Sequence, residues 1–319
     1  MSASPLITIG LPVFNGERFV DQAIESILAQ TFSEFRLVVS DNASTDRTVE
    51  IVRDFAKRDH RIELMTNSVN RGGAWNFNRV FAVSRSPYFR WAAADDMLAP
   101  TLLERSIDVL ESTKEDVVLV YPQTLLVDES GEVLELVEEN LAAPPGAAPH
   151  TRLLKVFRNM FYGNAVFSVL RSNALRRTRL HGVFPSADYV LLAELALAGE
   201  FREVPQPLFL RRLHEGTSWR ANPTAESLSQ WLDPQKTPVK RRQLTLFREH
   251  LRGIHSAQLP ASEKALVYLS YIEAAARGPL RNWAGPRTRL RRAWAKMSSL
   301  PMGGERGGSE RASAESVDS

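Results

Sequence analysis

Apolar positions follow two alternating rhythms through the first 121 residues. Short continuous runs at Leu6–Leu11, Phe35–Val39, Ile62–Met65, Tyr88–Ala92 and Val117–Tyr121 are too brief for helices and rich in β-branched or aromatic residues. They predict buried strands. Between them, apolar residues recur at helical spacing. Phe19, Ala23, Ile27 and Leu28 share a face in Arg18–Ala29, and Val49, Val52 and Phe55 share one in Thr45–Ala56. Ala74–Val83 and Pro100–Leu110 read the same way. Buried strands alternating with helices predict an α/β fold: a mostly parallel, Rossmann-like sheet covered on both faces.

After Tyr121 the rhythm changes. Leu125–Val137 reads as a hairpin turning at Glu129-Ser130-Gly131. Ala142–Pro149 reads as a loop, Leu153–Met160 as a helix, Val166–Leu170 as a strand and Asp188–Ala198 as a helix. Phe201–Arg212 reads as two short strands broken around Pro205-Gln206-Pro207. From about Pro238 the pattern is helical and basic, and Met302–Ser319 is Gly/Ser/Glu-rich with little to bury, which predicts disorder. The expected organisation is one domain over 1–220, with halves 1–121 and 122–220, then a basic helical region over 221–300 and a tail over 301–319.

Composition narrows the class. The chain is 44% hydrophobic and 24% charged over 319 residues, ordinary for a globular protein. It has no cysteine, which excludes disulfides and thiolate metal sites. No apolar run reaches the ~18 residues that span a bilayer, and Met1-Ser2-Ala3-Ser4-Pro5 has no basic leader. A cytoplasmic location is the expectation. Net charge is +3, but residues 277–296 carry seven Lys or Arg and no acid, interleaved with Trp283, Leu290 and Trp294. Such a segment suits peripheral contact with the inner, anionic face of a membrane. No nucleic-acid motif accompanies it, so nucleic acid is not an expected partner.

In open α/β sheets ligands bind beyond the carboxyl ends of the strands. The residues there are Pro12-Val13-Phe14-Asn15-Gly16-Glu17, then Ser40-Asp41-Asn42-Ala43-Ser44-Thr45-Asp46, then Asn70-Arg71-Gly72-Gly73, then Asp95-Asp96. Small and polar residues therefore gather on one rim. The first turn has neither Gly-x-Gly-x-x-Gly nor a Gly-Lys-Ser/Thr loop, which disfavours a dinucleotide or P-loop site. Without a backbone phosphate cradle, a divalent cation must neutralise phosphates, and the adjacent carboxylates suit Mg²⁺ or Mn²⁺. The competing reading makes Asp95 or Asp96 the cap of the helix that Pro100 and Leu102 begin.

Pro12-Val13-Phe14-Asn15, Ser40–Asp46, Asn70-Arg71-Gly72 and Ala94-Asp95-Asp96 together resemble the family 2 glycosyltransferases of GT-A fold, as do Ala187-Asp188-Tyr189 and Leu210-Arg211-Arg212-Leu213-His214. The resemblance covers roughly Leu6 to Ser218. It implies an inverting, metal-dependent transfer of sugar from a nucleotide-diphosphate donor, UDP above all, to a hydroxyl acceptor such as a glycan or glycolipid of the cell envelope. It further implies a nucleotide-sugar site of Pro12, Phe14, Asn15, Glu17, Asp41, Asn70, Arg71 and Asp95. In it Phe14 stacks on the base, Asp41 and Arg71 meet the base, and Asp95 faces the ribose or sugar. By the same resemblance Asp96 binds the cation, His214 closes on the metal or diphosphate, and Asp188 is the catalytic base. Ala93 departs from the pattern, since many relatives have an acid there. That departure sustains one alternative, a catalytically impaired binding protein on the same fold. A sugar-phosphate nucleotidyltransferase is the other, but Phe14-Asn15-Gly16-Glu17 is not its Gly-rich, Lys-containing loop.

The loop Phe161-Tyr162-Gly163-Asn164 is a candidate acceptor lining. His214–Trp219, with Gly216 as hinge, is a candidate lid.

Overall fold

The computed structural model describes residues 5–235, 239 and 241–276. Nine strands form a single sheet in the order β3-β2-β1-β4-β8-β6-β9-β5, with β7 paired to β6. The first half is parallel: β1 (Ile7–Val13) lies between β2 (Phe35–Asp41) and β4 (Tyr88–Trp91), and β3 (Ile62–Thr66) flanks β2. Connections run outward from β1 in both directions, so the sheet's switch point falls between β1 and β4, where a crevice opens beyond the strand ends. The second half is mixed. Long β6 (Val117–Val127) runs parallel to β9 (Glu200–Arg212) and antiparallel to β7 (Val133–Val137) and β8 (Val169–Arg171). The short β5 (Met97–Leu98) closes the far edge against β9.

Alternation along the strands builds two cores. On one face, Ile7, Ile9, Leu11, Leu37 and Val39 pack with α1 (Val20–Leu28), α2 (Thr48–Arg58) and α4 (Leu102–Ser112). On the other, Val38, Phe89 and Trp91 pack with α3 (Gly73–Ala82), α5 (Pro149–Asn159) and α7 (Ala187–Ala198). The short α6 (Ser172–Leu175) follows β8, and α8 (Ser218–Ala221) with α9 (Ala225–Leu232) follows β9. Helices α10 (Arg242–Ser256) and α11 (Ala261–Ala276) pack outside α7 and α5. Covered by α5, α10 and the sheet, α7 is apolar all round, as a buried helix must be.

The pattern-based elements hold in kind, and four differ in detail. The hairpin's first arm is continuous with the strand before it. Phe201–Arg212 is one strand, because β6 offers an unbroken partner and register shifts near Gln123 and Pro207 absorb the prolines. Val166–Leu170 splits into a 3-10 turn, Asn164–Phe167, and β8. Helix α9 escaped the pattern because it is short. Its start is fixed by a capping box between Thr224 and Ser227. The tail over 301–319 and the basic segment over 277–296 lie outside the described residues. No helix among the described residues is long and apolar enough to cross a membrane.

Candidate functional site

Five turns at the carboxyl ends of the strands converge on the switch point. The loop after β1 is held by its neighbour after β2. Asn15, with φ +52°, donates its backbone N–H to Ser44 Oγ (2.8 Å) and accepts from Thr45 N–H at Oδ1 (2.8 Å). Glu17 accepts from Arg47 N–H (2.9 Å), while its own N–H donates to Asp46 (3.0 Å). The side chains of Asn15 and Glu17, expected to meet the nucleotide sugar, thus bind the adjacent loop. Asp46 also accepts from Thr48 N–H (3.0 Å) in the turn that leads into α2. Pro12 is half-buried in β1, and Phe14 is 44% exposed above the loop, which removes a core role for it.

The turns after β2 and β3 meet at Asn42. Its amide donates to Asn70 Oδ1 (2.8 Å) and Gly72 O (3.2 Å), and its Oδ1 accepts from Arg71 N–H (3.1 Å). Beside it, Asp41 is buried at the tip of β2. One of its oxygens accepts from Ser44 N–H (3.1 Å), and the other has no hydrogen-bond partner among the described residues. A buried carboxylate oxygen left unmet is costly and marks a place for a ligand donor. Arg71 is exposed, with its guanidinium 4.8 Å from the Trp75 ring.

Asp95 and Asp96 follow β4. Neither caps α4, whose N-cap is Thr101 with no side-chain bond, so the helix-start reading is withdrawn. Asp96 is buried, and its Oδ1 accepts the backbone N–H of Arg212 (2.9 Å). Burial and the adjacent Asp95 charge push the Asp96 carboxyl well above the usual range, against the cations of Arg211 and Arg90. Arg90 is fully buried in β4, over the Phe209 ring at 5.4 Å, and its guanidinium makes no hydrogen bond among the described residues. Desolvation brings its pKa down to about 9. The Arg212 side chain braces the same corner, donating to Asp95 O (3.0 Å), Glu129 O (2.6 Å) and Gln22 (2.7 Å) across the Phe19 ring. His214 Nε2 lies 2.8 Å from Asp95 Oδ2, with its ring edge-on to Phe19.

His214 therefore stands against Asp95, not beside Asp96 alone. Among the described residues no three acids or histidines are grouped to hold an ion unaided. The two adjacent carboxylates alone still suit a hard cation. Mg²⁺ or Mn²⁺ is commonly held by one or two carboxylates, the rest of its shell being substrate phosphate and water.

Asp188 sits at the start of α7. Burial pushes its carboxyl up to about 6, opposed by the guanidinium groups of Arg211 and Arg242. It lies over Gly163 (φ +67°), where a Cβ would come within 2.8 Å of Asp188 Oδ2. The turn at Gly163 is held from below by buried Glu139. One oxygen of Glu139 accepts the N–H groups of Phe161, Tyr162 and Gly163 at 3.0, 2.9 and 3.2 Å. Arg211 donates to Tyr162 O and to Asn164 Oδ1. Arg211 and Arg212 are adjacent in β9: the backbone of Arg212 meets Asp96, and the side chain of Arg211 meets the two residues flanking Gly163, over which Asp188 lies. Asp188 also lines a cavity of about 580 Å³ between α3, α7 and α9. Asn42 and Arg211, inside the quoted motifs, and Arg90 and Glu139, outside them, border this site although the sequence reading gave them no role in it. A lone Arg inside the apolar run Tyr88–Ala92 was the one clear signal for any of them.

Comparison with known proteins agrees with this architecture. Residues 8–141 match the family model described as glycosyl transferase family 2. A Haemophilus influenzae protein described as an uncharacterized glycosyltransferase is 24% identical over 263 residues, 77% of this chain and 76% of its own. Uncharacterized glycosyltransferase MJ1057 of Methanocaldococcus jannaschii is 29% identical over 133 residues, 41% of this chain and under half (46%) of its own. S. aureus TarS 1–349 in complex with UDP-GlcNAc superposes with a TM-score of 0.62 at 15% identity, covering 82% of this chain and 70% of that one. Mannosyltransferase PcManGT from Pyrobaculum calidifontis, in complex with GDP-Man and Mn²⁺, gives 0.51 at 14% identity over 94% and 89%. At these identities the solved structures establish likeness of fold, that of GT-A glycosyltransferases.

Proposed function

We propose that this chain, which over residues 8–141 belongs to glycosyl transferase family 2, moves a sugar with inversion from a nucleotide-diphosphate donor to a hydroxyl acceptor. One observation carries the reading. Adjacent residues of β9 reach both acidic centres: Arg212 N–H binds Asp96, and Arg211 holds the turn at Gly163 that lies under Asp188.

The donor's nucleoside lies in the crevice past β1 and β2. Phe14 is exposed there to stack on a base, the unmet oxygen of Asp41 accepts from the base edge, and Arg71 borders the same turn. Asp95 faces the ribose or sugar. Asp96, with His214 close by, holds the divalent cation, Mn²⁺ or Mg²⁺. When bound, that ion supplies positive charge against the diphosphate leaving group. UDP is the favoured nucleotide, as in the TarS complexes.

Asp188 takes the proton of the acceptor hydroxyl. The acceptor oxygen bonds the anomeric carbon from one face as the bond to the diphosphate breaks on the other. The proton ends on Asp188 and the electron pair on the nucleoside diphosphate. A pKa raised to about 6 suits this role, because a base works best when its pKa is close to the operating pH. Loss of such a base costs about 10²–10⁴-fold in rate.

Asp188→Asn is therefore expected to lose most transfer while binding donor normally. Full turnover in that variant refutes the base assignment. Asp96→Ala is expected to lose Mn²⁺-dependent UDP binding, and affinity unchanged by metal in both proteins refutes the metal assignment. The alternative of an inactive binding protein rests on Ala93 alone, and release of free nucleotide from a donor by the wild type excludes it. The same reading extends to place: the chain acts on a cell-envelope acceptor at the inner membrane face, reached through α11 and the basic segment over 277–296.

A further inference from the structure

The cavity beside Asp188 has a large apolar wall that a ligand made of sugar throughout would leave poorly matched. Its volume of about 580 Å³ is that of a small-molecule site, and its walls are Phe77, Val166, Phe167, Phe184, Leu228 and Trp231. Polar side chains, among them Tyr162, His181, Ser186, Asn222 and Thr224, border these walls, and several polar groups are already engaged. Arg211 donates to Tyr162 O and Asn164, and Arg242 donates to Ser186 Oγ. The charges of Arg211 and Arg242 are matched by Asp188 and buried Glu139, so the cavity does not call for an anion. A saccharide pressed against the remaining walls leaves hydroxyls unpaired, each at about 1–3 kcal/mol. The roof is a deliberate part of the structure. Helix α9 seats Trp231 on Gly73, and the Leu232 carbonyl approaches Gly72 so closely that a Cβ there would stand 2.3 Å away. Leu228 and Trp231 are held over the cavity by that seat.

We infer that the acceptor is amphiphilic, carrying an alkyl, prenyl or aryl group next to the hydroxyl that Asp188 deprotonates, and that this group fills the cavity between α3, α7 and α9. The inference rests on Asp188 marking the acceptor side, and it names the class of acceptor.

The test is calorimetric titration of the full chain with octyl β-glucoside, kept below its micellar concentration, and with methyl β-glucoside. Each buried methylene is worth about fourfold in affinity. With about seven extra methylenes available, burial of only three gives about 60-fold. A preference for the octyl glycoside of at least ~30-fold is expected. Leu228→Asp, at a half-exposed position of α9, should abolish the preference, and Gln230→Asp on the exposed side of the same helix should keep it. Equal affinity for the two glycosides, no binding of the octyl glycoside, or a preference untouched by Leu228→Asp overturns the inference. Asp188→Asn separates this idea from the one beneath it. If the octyl preference fails while that variant is inactive, the acceptor class is wrong and the base stands. If the preference holds while the variant turns over fully, the base is wrong and the apolar pocket stands.

Discussion

At the scale of single residues, Arg211 links the two acidic centres. Its guanidinium opposes the burial that raises Asp188. The sign of the pH dependence follows. Asp188 works as a base only when ionised, so kcat/KM is expected to climb with pH through about 6 in the wild type. Arg211→Ala removes a charge that favours the ionised form, so the acid limb should move to higher pH, and Arg211→Lys should restore most of it. A limb that stays in place in Arg211→Ala argues against this coupling. The same raised pKa binds a proton in the folded state that the unfolded chain has released. Folding is therefore favoured less as pH rises from about 4 to 6 at this residue, and Asp188→Asn should flatten that part of the stability profile. The positions of Asp41, Asp95 and Asp96 at or just past strand ends were legible in the chain, whereas Asp188 begins helix α7. Arg211 and Glu139 were not legible, because what they do depends on partners 47 and 22–24 residues away that only the folded turn assembles.

Among the elements, the turn Phe161–Gly163 shows how a loop is made rigid without regular structure. Three backbone N–H groups point at one carboxylate oxygen of Glu139 in a buried setting. Glu139→Ala leaves all three unpaired and is expected to cost about 2–5 kcal/mol in denaturant unfolding. Glu139→Gln keeps an acceptor oxygen and should recover most of that loss, together with the acceptor KM that depends on Gly163 lying under Asp188. Equal stability in the Ala variant shows that water satisfies the turn. Strands β1, β2 and β4 were readable because each is buried on both faces and so nearly continuously apolar, whereas β3, at the sheet edge, is only partly buried. The second half was harder. Two prolines in β9 read as a break, yet β6 bridges them. Helix α9 is amphipathic but only eight residues long, too short for its periodicity to stand out.

Over the whole molecule, one further surface is unexplained by the fold. Leu266, Leu269 and Ile272 recur at helical spacing on α11 and are 46, 66 and 51% exposed. They lie just before the segment whose seven basic residues have no acid among them. An apolar stripe joined to a basic run suits the interface of an anionic bilayer. Leu269→Asp and deletion after Pro279 are each expected to reduce flotation with phosphatidylserine vesicles, with high salt weakening the wild type. Flotation equal to wild type in both variants removes the membrane from the proposal. The fold class was legible from alternation alone. The placement of residues 221–276 against α5, α7 and the cavity was not, since it depends on contacts between elements distant along the chain.

The bond between Asp96 and the backbone of Arg212 spans 116 residues. A ribosome adding about 5–20 residues per second needs roughly 6–23 s to make that stretch. Throughout that interval the emerging polypeptide has both neighbouring acids but lacks Arg212, His214 and, until late, Asp188. On the proposed function, transfer waits for β9, the last of the described strands to be synthesised, which brings Arg212 to Asp96.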